Sequence, residues 1–159
     1  MPAVRLVASD GRAVDLRGPG GHVTVLAFVD PFGGDETALA AAVVRAAWAD
    51  LGAEARGAVA LAVGVRPATD GQSLEAGSEA PWQLLVGPPD ALSRVLRAYH
   101  VTVETVGSSV AYTPAVVVVD RRGRSARLLI LSAGVSAADQ GAALAQVVRT
   151  LLGSAAGSH

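Results

Sequence analysis

His22-Val-Thr-Val-Leu-Ala-Phe-Val-Asp-Pro-Phe-Gly-Gly-Asp-Glu-Thr37 decides the fold of this 159-residue chain. Val23–Val29 is a near-continuous apolar run of strand length, as expected for a central strand covered on both faces. The Pro31–Gly34 segment breaks it. A helix is predicted from Asp35, whose carboxylate would accept from free backbone N–H groups, with Glu36 favoured by the helix dipole. Leu39, Val43, Ala46 and Ala47 form its apolar stripe, and Gly52 is its stop. The turn between strand and helix holds no cysteine, histidine, lysine or serine.

Upstream, Val4–Ala8 and Ala13–Leu16 flank Asp10-Gly11, the signal of a β-hairpin. Downstream, Ala58–Val65 is a second buried strand and residues 68–80 read as a loop. Trp82–Val86 is a short strand, and Pro88-Pro89-Asp90 opens a helix with Leu92, Val95, Leu96 and Tyr99 on one face. Val101–Ala111 is extended or a loop around Gly107. The four valines of Ala115–Val119 disfavour helix and predict a strand, with Ser125–Leu131 returning antiparallel after the turn Asp120–Gly123. Ser136 caps a last helix with Leu144, Val147, Val148 and Leu151 inward. Alternating β and α elements followed by a late hairpin predict an α/β fold with a mixed central sheet flanked by helices. One domain is expected over residues 1–153, with 154–159 a frayed tail that includes His159.

Composition excludes several function classes. The chain has no cysteine, so thiol–disulfide exchange, thiol peroxidase chemistry and thiolate metal ligation are excluded. A net charge of −1 gives no electrostatic footprint for nucleic acid. The N-terminus shows no apolar signal segment and no stretch approaches the ~20 apolar residues of a membrane span, so the chain is expected to be soluble and any anchor would have to precede Met1. Phosphate-loop, dinucleotide and nucleophile-elbow motifs are absent.

The element order, with Tyr112-Thr113-Pro114 just before a buried strand, resembles the thioredoxin fold. Within it the chain is most similar to the Sco/SenC family of cytochrome oxidase copper-delivery and thiol proteins. "DGRAVDLRGPGGHVTVLAFV" at 10–29, "TALAAAVVRAAWADLG" at 37–52, "WQLLVGPPDALSRVLRAYHV" at 82–101 and "VVVVDRRGR" at 116–124 carry the resemblance. It implies a cis peptide bond before Pro114 and an extracytoplasmic, membrane-associated setting. It also places the family's two cysteines on Gly33 and Thr37 and its histidine on Tyr112. A glycine has no ligand atom, and a hydroxyl or phenol binds Cu(I) poorly, so no cofactor or metal is expected.

What the resemblance leaves is a surface made by Phe32, Gly33, Gly34 and Asp35 with Tyr112, Thr113 and Pro114, expected to bind a protein partner without catalysis. In this fold the backbone before the proline can pair with an extended peptide without a thiol. Phe32 at the turn tip either anchors a partner or caps the sheet. Two alternatives stay open: an enzyme of unrelated chemistry using Asp30, Thr37 or Tyr112, and a structural subunit of a larger complex. Asp30, Asp35 and Glu36 could hold a hard cation, or serve as strand end, N-cap and dipole partner. His22 reads as a solvated residue, and His100 as a helix-end histidine suited to the dipole. Trp48 and Trp82 read as packing residues.

Overall fold

The computed structural model describes residues 5–8, 13–15, 21–66, 80–107 and 109–157. The apolar run becomes strand β3 (Val23–Val29), buried along its whole length. Its side chains alternate between two cores: Val23, Val25, Ala27 and Val29 enter one, Leu26 and Phe28 the other. Both faces of the strand are therefore covered, which is why the run shows no polar alternation.

A hairpin of β1 (Arg5–Ala8) and β2 (Ala13–Asp15) precedes β3, and helix α1 (Asp35–Leu51) follows it. A short 3-10 turn (Gly52–Gly57) leads into β4 (Ala58–Gly64). Then come β5 (Gln83–Val86), α2 (Pro89–Ala98), β6 (Val103–Val106) and β7 (Ser109–Tyr112). The chain ends with β8 (Ala115–Val119), β9 (Ser125–Ile130) and α3 (Ala137–Gly157). Seven strands make one mixed sheet in the order β2-β1-β5-β4-β3-β8-β9, while β6 and β7 pair only with each other. β3 and β4 run parallel, and β8 lies antiparallel to β3 on its other side. The predicted mixed sheet flanked by helices, with its N-terminal hairpin, is the observed architecture.

Helices α1 and α3 cover one face, and α2 the other, where Leu92, Val95 and Tyr99 are buried. Val43 and Ala47 are buried on α1 as expected, with Val44 and Leu51 beside them, but Ala40 and Ala41 are also buried while Leu39 and Ala46 are only half-buried. Helix α3 lies tight on α1: a Cβ at Gly141 would sit 2.5 Å from the Ala46 Cβ and 3.0 Å from the backbone at Val43 and Ala47. Trp82 is buried in the core and Trp48 packs against it.

Three expectations change. Asp35 is the first helical residue and not the cap: Gly34, at φ 122°, occupies the cap position with no side-chain hydrogen bond. That backbone angle suits a residue without Cβ, so the acidic residue is displaced one place into the helix, where the dipole still favours it. The last helix does not fray at Gly153 but continues to Gly157, an Ala-rich extension with Leu152 lying against Gly57. His22 is half-buried, with its Nδ1 enclosed and without a hydrogen-bond partner. His100 adopts φ 60° one residue beyond the α2 C-cap, Tyr99. There its N–H donates to the Arg97 carbonyl (3.2 Å) and the Val101 N–H to the Leu96 carbonyl (2.8 Å), the paired bonds of a Schellman ending. The Ser136 cap is as expected, its Oγ accepting from the Asp139 N–H at 3.0 Å. Most of the expected loop at 68–80 and residue His159 lie outside the described residues.

Candidate functional site

The site forms where the parallel strands β3 and β4 end. The register pairs Val29 with Gly64, so Asp30 and Arg66 leave adjacent strands within one step of each other. Arg66 donates from Nε to Asp30 Oδ1 (2.9 Å) and from Nη2 to Oδ2 (2.8 Å), a two-pronged pair that leaves the carboxylate only 13% exposed. Asp30 Oδ1 also accepts from the Phe32 N–H at 2.9 Å, and the Asp30 carbonyl accepts from the Gly33 N–H at 3.0 Å. Both bonds fold the chain back into the turn. Gly33 and Gly34 take φ 98° and 122°, angles that a side chain rarely tolerates. Phe32 at the tip is 37% exposed, with the Arg66 guanidinium 4.8 Å from its ring centroid. One side of the ring meets a cation and the rest meets solvent.

Beneath the turn, three elements meet on one backbone amide. Thr37, in the first turn of α1, is fully buried. Its Oγ1 accepts from the Asp30 N–H (3.0 Å) and donates to the Asp30 carbonyl (3.1 Å). Tyr112, closing β7, brings its hydroxyl to the same N–H at 3.0 Å and lies 3.5 Å from Thr37 Oγ1. Burial raises the Tyr112 pKa above a phenol's ordinary value, opposed by its hydrogen bonds to Thr37 and Asp30 and aided by the charges of Glu36 and Asp30.

Thr37 and Tyr112 are thus brought together across the fold, as the resemblance implied for those positions, and their polar atoms are turned onto the chain itself. Gly33 lies in the turn and offers only backbone. These groups do not fit Cu(I): a glycine, an alcohol and a phenol make a hard, neutral donor set. Among the described residues no three His, Asp or Glu side chains are grouped to hold a metal ion. Both oxygens of Asp30 are engaged by Arg66, so it does not act as a free base beside either hydroxyl. The peptide bond before Pro114 is trans, not cis. The trans form is the lower in energy even before proline, and here the Pro114 carbonyl accepts from the Leu131 N–H at 2.9 Å, continuing the β8–β9 ladder.

Arg66 was the residue the sequence did not announce as functional. Its signal was positional, because a basic residue just past β4 lies beside an acidic residue just past β3 whenever the two strands pair in parallel.

No family's sequence pattern matches the chain, and no curated protein is similar to it in sequence. Solved structures are similar in fold. ScoI from Arabidopsis thaliana with copper bound superposes with a TM-score of 0.78 at 18% identity, covering 92% of this chain and 96% of that one. ScoI from Bradyrhizobium japonicum with copper bound gives 0.69 at 20% identity, over 90% and 96%. A SCO1/SenC family lipoprotein from Bacillus anthracis gives 0.72 at 14% identity, over 95% and 94%. The chain therefore has the thioredoxin-like fold of the Sco proteins over nearly its whole described length, without a cysteine anywhere in it.

Proposed function

We propose that this protein is a non-catalytic, protein-binding member of the Sco-like group, an assembly factor acting where Sco proteins act, outside the cytoplasm and beside copper enzymes. The observation that carries the reading is the closure of Thr37 and Tyr112 on the Asp30 amide. A metal or thiol site needs ligand atoms facing outward; here the equivalent positions hold the turn in one conformation. The turn then presents Phe32 with exposed Gly34 and Asp35, and beyond Tyr112 the chain continues into exposed Thr113 and half-buried Pro114. A half-exposed aromatic on a braced turn is the kind of anchor that dominates binding energy at interfaces. No helix among the described residues is long and apolar enough to cross a membrane.

Native co-purification from the source cells, run in parallel with wild type and Phe32→Asp, tests the proposal. A protein recovered with wild type and lost with the variant is the expected result. Recovery of the same proteins by both would remove the turn as the binding surface.

A further inference from the structure

A second surface lies at the edge of the sheet, two strands from β3. Among the described residues, strand β9 pairs with β8 on one side only. Two of the four large apolar residues exposed among those described are on it, Leu128 at 49% and Ile130 at 59%. The Leu131 N–H is directed to the Pro114 carbonyl on β8. By the alternation of an antiparallel ladder, Leu129 and Arg127 also direct their backbone groups inward, so Leu128 and Ile130 direct theirs outward. The residues with exposed side chains therefore also carry the unpaired backbone of the edge.

Grooves flank this edge on both faces. One, of about 340 Å³, runs between β9 and α3 beside Leu129, Val147 and Leu151. The other, of about 180 Å³, is bounded by Tyr99, Val101, Leu128 and Ile130. A strand added here would extend the sheet and drop alternate side chains into the two grooves. β9 carries no proline or lysine, and its guards, Arg127 and the irregularity opposite Val118 and Val119, lie toward its N-terminal half, away from Leu128–Ile130.

We propose that two copies of this chain pair β9 to β9, antiparallel about a twofold axis, into one continuous sheet. The strand's own pattern selects the occupant. A twofold perpendicular to the sheet keeps each face on its own side, so Leu128 of one copy lies opposite the second copy's Ile130, and the reverse. Leu129 then meets its own counterpart on the axis as a non-hydrogen-bonded pair, with Cα atoms about 4.5 Å apart. The same register holds the two Arg127 residues four positions apart, roughly 13 Å along the strands, so like charges do not oppose the pairing. The surface is distinct from the Phe32 turn, and the inference stands whether or not that turn binds a partner.

Sedimentation equilibrium of the full chain tests it. The mass is expected to rise with concentration from 15.9 kDa toward twice that value. The double variant Leu128→Lys, Ile130→Lys should remain at the single-chain mass with an unchanged circular dichroism spectrum, because both side chains are already half exposed. The chain has no cysteine, so single-cysteine variants report proximity directly. Leu129→Cys should oxidise to a covalent dimer, whereas Phe32→Cys should not. A chain that stays single at every concentration would overturn the proposal. So would self-association that survives the paired lysines, or Phe32→Cys cross-linking as readily as Leu129→Cys.

Discussion

Thr37 and Tyr112 meet on a single N–H from opposite sides, and their roles differ. Thr37 both accepts from and donates to Asp30, whereas Tyr112 accepts only a share of that N–H. Thr37→Val keeps the shape but removes two hydrogen bonds, leaving the Asp30 carbonyl to the Gly33 N–H and the Asp30 N–H to Tyr112, for a loss of about 1–3 kcal/mol. Tyr112→Phe leaves the amide paired to Thr37 and should cost less, about 0.5–1.5 kcal/mol. Chemical denaturation of the two single variants and the double checks the order, and the double should exceed the sum because only there does the Asp30 N–H lose both acceptors. Tyr112 also sets an alkaline limit. Its raised pKa means that the folded state holds the phenol proton more tightly than the unfolded chain. Its contribution is complete below the phenol's ordinary value of about 10 and is lost as pH rises through the higher folded value. Tyr112→Phe should flatten that alkaline decline in stability, measured by thermal melts from neutral pH upward. At this scale the sequence showed which residue types stand at the ligand positions. It did not show that they bond to each other, because that depends on β7 delivering Tyr112 over a separation of 82 residues to Asp30.

Among the elements, α2 and α3 carry the clearest tests. His100 ends α2 with φ 60°, a conformation that costs a side-chain-bearing residue about 1–2 kcal/mol. Glycine meets no such penalty but loses more chain entropy on folding, so His100→Gly should stabilise by roughly 0.5–1 kcal/mol, seen as a rise in Tm. Gly141 points the other way. Alanine is the better helix former by about 1 kcal/mol, yet its Cβ would press into the backbone of α1. Gly141→Ala should therefore destabilise by about 1–3 kcal/mol, and a neutral result would show that α1 and α3 separate easily. Element existence was legible because Val23–Val29 and Ala115–Val119 read as uninterrupted buried strands and were found at those same residues. Element ends were less so. Asp35 looked like the cap because acidic residues favour that position, but the turn geometry set by Gly34 decided where the helix began.

For the whole molecule, the order of strands and helices was enough to predict a mixed sheet flanked by helices, since few arrangements satisfy short, right-handed connections, and the thioredoxin-like reading came from the resemblance. The edges of that sheet were not legible. Leu128 and Ile130 read as an ordinary strand until β9 proved to be terminal in the sheet. The emptied site was legible as a set of missing ligands, but its closure became visible only with the fold assembled. The central claim is that the fold of copper-bound ScoI recurs here with the positions that the resemblance assigns to ligands closed into hydrogen bonds. Titrating the protein with Cu(I) against a competing chelator tests that claim most directly. The account predicts no stoichiometric complex of submicromolar affinity, with Thr37→Val and Tyr112→Phe indistinguishable from wild type in the titration. A reproducible one-to-one complex at submicromolar affinity, weakened by either substitution, would contradict it.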